Sequence, residues 1–228
     1  MPAVADETNQ EIAVLVNSTS NLEKGLCLVI NPADGELVSH IVKGNKMYVQ
    51  GCSWDAKNIA SSRQALVTAG VADRSSILLS EAEYLPYADN LINLVCCANW
   101  GKKSIALDEI LRVMTPNGVA ILGDDNKPDA IAGLETKLKE LGVKNFKTIA
   151  RKGWIAFVKP ENPDFDVWTH NNGGADLSSV NNDKGAGPWE ELRWVADPRW
   201  GALAGTYSGR VTSGGRIYYV EGRADHQW

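Results

Sequence analysis

The residues best placed to do chemistry are Asn31-Pro32-Ala33-Asp34-Gly35. They follow the apolar run Leu26–Ile30 and precede a helical pattern that begins at Glu36. A strand–loop–helix junction aims backbone N–H groups and the positive end of a helix at whatever lies above it, which is the entry to a nucleotide-type site. An adenine nucleoside with a charged amino-acid tail, or a pyrophosphate, needs close backbone approach there, and glycine permits it by lacking a Cβ. Gly35 meets that need. Asn31, Pro32 and Ala33 add side chains, and Pro32 removes an N–H donor. Asp34 disfavours a pyrophosphate and suits a sulfonium or an ammonium.

Three further segments could complete such a site. Ribose hydroxyls are gripped by a carboxylate at the end of a second strand. The chain there reads Gly51-Cys52-Ser53-Trp54-Asp55, with Ser53 at the expected acid position. Asp55 is either a ribose ligand or the N-cap of the helix that follows. In Ser80–Asn90, Glu81 lies just past a third strand, where a carboxylate can meet an adenine edge. The alternative is a surface loop in which Leu85 and Tyr87 staple the next strand. Asn99-Trp100-Gly101 ends a long buried strand, where a substrate would approach. Trp100 either walls a pocket or packs on a helix.

The elements that must position these residues alternate regularly. Strands are expected at Leu26–Ile30, Met47–Gly51, Ile77–Leu79, Leu91–Ala98 and Val119–Leu122, with helices at Glu36–Lys43, Asp55–Ala69, Ser104–Met114 and Asp129–Leu141. Ala56, Ile59, Ala60, Leu66 and Val67 make one apolar helix face, and Ile110, Leu111 and Met114 another, with Arg112 turned to water. Pro116-Asn117-Gly118 reads as a turn, and Phe146–Arg151 with Trp154–Val158 as a hairpin. The fold class is α/β: a doubly wound, Rossmann-like, mostly parallel sheet with a C-terminal antiparallel β-hairpin. Its ligands bind beyond the carboxyl ends of the strands, so Asn31–Gly35 is the expected centre.

Composition narrows the function. The 228 residues carry 23 basic and 28 acidic side chains, a net charge of −5, with no basic run, so no nucleic-acid partner is expected. No apolar stretch reaches the ~20 residues of a transmembrane segment, and the polar Met1–Gln10 is not a signal peptide. The compartment is not legible. Cys27, Cys52, Cys96 and Cys97 read as small buried hydrophobes. Cys96 and Cys97 should point to opposite faces of one strand. The three histidines are scattered, so no metal site is expected.

The character changes at Pro160. Residues 161–228 hold five of the eight tryptophans and no convincing helix. Leu192–Val195 and Arg216–Val220 read as strands around a Ser213-Gly214-Gly215 turn. This segment reads as the partial start of a larger all-β repeat structure, for which self-association of an exposed edge, or disorder, is expected.

Leu28-Val-Ile-x-x-x-Asp34-Gly35-x-Leu37, Gly51–Asp55, Leu85–Val95 and Leu107–Ala120 together resemble a class I S-adenosylmethionine-dependent methyltransferase over roughly residues 20–159. Residues 1–160 would be that domain. The resemblance implies S-adenosylmethionine as cofactor, held by Asn31, Ala33, Asp34, Gly35, Ser53, Asp55, Glu81, Ala82 and Asn99, and in-line methyl transfer to an unidentified acceptor. The family pattern has glycines at 31 and 33 and an acid at 53, so Asn31, Ala33 and Ser53 are departures. Asp166-Val-Trp168-Thr-His170, Gly187-Pro188, Leu192–Val195, Pro198–Trp200 and Ser213–Tyr219 resemble the junction of large planctomycete-type fusion proteins. There a methyltransferase-like domain meets a β-propeller of pyrroloquinoline-quinone-enzyme-like repeats. Residues 161–228 would then be a linker and a first propeller blade, with no set of residues assignable to pyrroloquinoline quinone. The alternative is a degenerate, non-catalytic module serving a propeller fusion. A nicotinamide-dependent oxidoreductase is disfavoured by the missing Gly-x-Gly-x-x-Gly and the missing acid at 53.

Overall fold

The apolar runs become strands Leu26–Ile30 (β1), Tyr48–Ser53 (β2), Ser75–Leu79 (β3), Ile92–Cys97 (β4), Met114–Gly123 (β5), Phe146–Thr148 (β6) and Trp154–Val158 (β7) of one sheet, ordered β3-β2-β1-β4-β5-β7-β6. The first five are parallel, and β7 runs antiparallel to both β5 and β6. Strand order reverses between β1 and β4, and a crevice opens there because the flanking connections leave toward opposite faces. This is a computed structural model, and it describes residues 2–80, 84–100, 105–149, 151–170, 173–176, 178–180, 182–184, 206–213 and 216–222. The chain divides into two compact units, Met1–Pro160 and Glu161–Trp228.

In the first unit the central strand β1 is apolar throughout because both its faces are covered. Cys27 and Val29 point into one core, under helices Pro2–Ser20 (α1), Glu36–Lys43 (α2) and Ile59–Thr68 (α3). Leu28 and Ile30 point into the other, under Leu107–Val113 (α4) and Leu134–Glu140 (α5). Cys96 and Cys97 fall on opposite faces, as the two-residue period of a strand requires. All four cysteines are free and buried. Burial pushes the Cys52 thiol up to about 11 and the Cys97 thiol up to about 12, so neither is a ready nucleophile.

Several expectations are corrected. Helix α1 begins within the stretch read only as a polar terminus. Its buried Ile12, Ala13 and Val16 make a narrow stripe that packs on α2. The long second helix is a 3-10 turn, Ala56–Asn58, followed by α3. The buried face of α3 is Ile59, Ser62 and Leu66, while Ala60 and Val67 are exposed. The backbone of Ser62 lies against Gly35, and the serine is buried there. The helix expected over Asp129–Leu141 is broken by Gly133, at φ 78°, into a 3-10 turn and α5. Pro116-Asn117-Gly118, expected as the turn into a strand at Val119, lies within β5. It forms an irregularity inside β5, with Asn117 at φ 62°. The Ser104 cap lies outside the described residues. No helix among those described is long and apolar enough to cross a membrane.

The second unit contains an antiparallel hairpin, Thr206–Ser213 (β8) with Arg216–Gly222 (β9). Strand β8 was not anticipated, and Leu192–Val195 lies outside the described residues. The Asp-Val-Trp-Thr-His segment is tied to this hairpin. Trp168 donates its backbone N–H to Thr212 Oγ1 at 2.8 Å and accepts the Thr212 N–H on its carbonyl at 2.7 Å. The Asp166 carboxylate accepts the N–H groups of Val167 and Asn182.

Candidate functional site

At the end of β1, Asn31 takes a left-handed conformation, φ 51°, which asparagine tolerates better than most side chains. Its N–H donates to the Cys52 carbonyl at 2.6 Å, and its own carbonyl accepts the Asn99 side-chain amide at 2.9 Å. Asn99 therefore ties the end of β4 to the end of β1 across the reversal point. Pro32 is buried, whereas Ala33 and Asp34 are exposed. Asp34 Oδ1 accepts the Glu36 N–H at 3.1 Å and so starts α2.

Gly35 has a structural use. Its φ is 85°, and a Cβ there would lie 2.8 Å from the Ser62 carbonyl oxygen. Glycine at this position lets α2 and α3 touch, and a side chain is excluded whether or not a ligand is near.

The polar groups beyond β2 are engaged locally. Ser53 is buried, its Oγ accepting the Asp55 N–H at 3.2 Å. Asp55 accepts the Lys57 N–H and the Asn58 side-chain amide, each at 3.0 Å. The helix-capping alternative for Asp55 is thus the one the geometry contains. Trp54 packs half-buried against the second core. Glu81 and Ala82 lie outside the described residues.

The segment after them is a staple. Leu85 is buried and donates its N–H to Glu109 Oε1 at 2.7 Å. Arg112, expected in water, instead binds Glu109 through Nε and a terminal nitrogen, at 2.7 and 2.8 Å. It also donates to the Asp89 carboxylate and to the Leu85 and Tyr87 carbonyls. The loop presents the Leu85 and Tyr87 carbonyls within reach of the helix, and no periodicity argument detects them. The same hydrogen bond holds the Glu109 carboxyl below the usual carboxylate range.

An open cleft of about 860 Å³ lies on the other side of the loop, above Ile30, Asn31, Pro32, Ala33 and Asp34. Asn99 lines it, and Gly35, Ser53 and Asp55 do not. Its remaining walls were not foreseen: Asn9 and Ile12 of α1, Asp125 and Asn126 beyond β5, and Arg151 before β7. Asp124-Asp125-Asn126 directly follows a buried strand. Its place at the carboxyl edge was the available signal.

Arg151 grips Asp125 with two prongs, Nε to Oδ1 at 2.7 Å and a terminal nitrogen to Oδ2 at 2.6 Å. Trp154 Nε1 donates to the same carboxylate at 2.8 Å. This is possible because the indole lies across Gly123, where any side chain would collide with the ring. The Arg151 hydrogen bonds, then the Trp154 bond, keep the Asp125 carboxyl below its ordinary range. Beside it, Asp124 is buried. Its Oδ1 accepts the Asn126 N–H, and among the described residues its Oδ2 is the buried side-chain polar atom without a partner.

A second groove, about 1260 Å³, runs between α4 and α5 and meets the cleft at Asn126. Trp100 lines this groove and packs partly buried on the second core, and it does not line the cleft. Among the described residues, no three His, Cys, Asp or Glu side chains are arranged to hold a metal.

No family model and no curated protein matches the sequence. Solved structures do match. One is a protein of Methanococcus maripaludis described as an S-adenosyl-L-methionine-dependent methyltransferase: TM-score 0.57, 18% identity, covering 67% of this chain and 85% of that one. Another is an S-adenosylmethionine-dependent methyltransferase of Aquifex aeolicus: TM-score 0.53, 16% identity, covering 64% and 87%. A third is an RNA methyltransferase of Salinibacter ruber in complex with S-adenosyl-L-homocysteine: TM-score 0.50, 13% identity, covering 67% and 92%. The likeness is one of fold. The first unit shares with these structures a Rossmann-like, mostly parallel sheet, here closed by the antiparallel β6–β7 pair.

Proposed function

We propose that the Met1–Pro160 unit binds S-adenosylmethionine in the cleft above Asn31–Asp34 and serves methyl transfer to an acceptor. The observation that carries this reading is the cleft itself, at the reversal point of the sheet, lined by Asn31, Asp34, Asn99, Asp125 and Arg151. Its chemistry suits the methionine end of the cofactor. Asp34 offers negative charge for an ammonium or a sulfonium, Arg151, whose fork is held by Asp125, has its remaining terminal nitrogen for a carboxylate, and Asn31 and Asn99 offer neutral polar groups. When bound, the cofactor supplies a methyl group on a cationic sulfur, open to displacement by a nucleophile. The chain's part is to orient that group and to keep one approach open. The groove that meets the cleft at Asn126 is our candidate for that approach.

The ribose end fits less well. Ser53 offers no carboxylate, and both oxygens of Asp55 already accept hydrogen bonds. Charge-assisted hydrogen bonds are worth about 1.5–3 kcal/mol each, so the missing acid weakens binding by roughly one to two orders of magnitude. The same observation favours the second reading, a non-catalytic module on a cofactor fold. For the second unit we propose the start of an all-β repeat structure of the propeller type. The β8–β9 hairpin and its ties to Trp168 support this.

Calorimetric titration of the 228-residue chain with S-adenosylhomocysteine decides between the readings of the first unit. Saturable heat with a micromolar to millimolar constant is expected for the first. No heat at millimolar ligand leaves the non-catalytic module. Thermal stabilisation by a nicotinamide dinucleotide alone would overturn both.

A further inference from the structure

One cation faces the cleft with a donor held by an exchangeable partner. The Arg151 guanidinium gives Asp125 two short hydrogen bonds, and Asp125 is fixed in turn by Trp154 Nε1. Its other terminal nitrogen, Nη1, reaches Glu11 Oε2 of α1 at 3.1 Å. The two contacts differ in kind. Asp125 makes a planar, two-pronged pair within the cleft wall, the strong arrangement for this fork. Glu11 makes a single longer contact, and its side chain is 60% exposed. Exposed single-contact pairs contribute little and release at small cost, because water rehydrates the carboxylate.

Resting on the binding reading above, we infer that Arg151 Nη1 is the anchor for the carboxylate of the cleft's ligand, and that Glu11 is a built-in stand-in which the ligand displaces. Asp125 holds the guanidinium plane at the cleft, so the incoming carboxylate meets a pre-oriented donor. Asp34, in the same cleft, carries the opposite charge for the ammonium of an α-amino acid tail. The ligand class is therefore a zwitterionic amino-acid end. Releasing Glu11 also removes a tie between α1 and the cleft, while Asn9 to Glu36, at 3.3 Å, remains.

The test compares S-adenosylhomocysteine, which carries the tail, with 5′-methylthioadenosine, which lacks it. Both are titrated into the 228-residue chain and into Arg151→Gln and Glu11→Gln. The wild-type chain should prefer the tailed ligand by about tenfold or more. Arg151→Gln should cut that preference about fivefold or more by weakening the tailed ligand alone. Glu11→Gln should tighten the tailed ligand about two- to fivefold by removing the competitor, and leave the other unchanged. If Arg151→Gln does not fold, the wild-type preference and Glu11→Gln decide. Equal binding of both ligands to the wild-type chain, or a Glu11→Gln change shared by both, overturns the anchor and leaves the binding reading standing. Binding of neither overturns the two together.

Discussion

The carboxyl edge of the sheet has two halves that use their polar groups in opposite ways. Beyond β2 and β3, Ser53 and Asp55 satisfy their own loop, and the Leu85–Asn90 segment is latched by Glu109 and Arg112. Beyond β1, β4 and β5, Asn31, Asp34, Asn99, Asp125 and Arg151 surround an open cleft. Both halves carry carboxylates, and those of the second line an open cleft. Residue type alone therefore does not make a site. Asp34 spends one oxygen on the Glu36 N–H, whereas both oxygens of Asp55 accept hydrogen bonds from its own loop.

The strongest way to break this comparison is at the latch. Arg112→Ala leaves Glu109 buried without its cation and frees two loop carbonyls, so it should cost about 3 kcal/mol in urea unfolding. A loss below about 1 kcal/mol would mean that burial of Leu85 alone closes that half. Next comes Gly35→Ala, which forces a side chain into a left-handed conformation and onto the Ser62 carbonyl. A loss of about 2 kcal/mol is expected. No loss would return Gly35 to the role of ligand cradle.

Acid sharpens the contrast at the next level. The Glu109 and Asp125 carboxyls are held below their ordinary values, chiefly by their arginine hydrogen bonds. Their stabilisation is complete above the unfolded carboxylate range, near pH ~4, and is lost as pH falls through the lowered native values. The melting temperature should therefore drop on acidification below about pH 5, and more shallowly in Arg112→Ala. The same slope in both proteins would show that Glu109 is not coupled to Arg112. The smallest effect separates cap from ligand. Asp55→Ala should cost about 1 kcal/mol, with S-adenosylhomocysteine affinity changed less than twofold. A tenfold loss of affinity would move Asp55 into the binding half.

The sheet was legible because burial on both faces writes continuous apolar runs, as in Leu26–Ile30 and Leu91–Ala98. Gly142, at φ 78°, also stopped its helix where expected. Helix faces were less legible. Val67 sits at an apolar period yet is exposed, and Ser62 is buried because it lies beneath Gly35. Of the residues lining the cleft, Asn31, Ala33, Asp34 and Asn99 were legible from their positions after strands. Asn9, Asp125, Asn126 and Arg151 were missed, since long-range ion pairs and the packing of a terminal helix leave no local spacing to read.

What the sequence determined by itself is the alternation of strands and helices, and with it the edge where ligands gather. Those depend on short-range periodicity and on turn residues. Only the tertiary structure decided how the polar groups on that edge are engaged. That depends on partners distant in sequence: Asn99 on Asn31, Glu11 and Asp125 on Arg151, and Ser62 beneath Gly35.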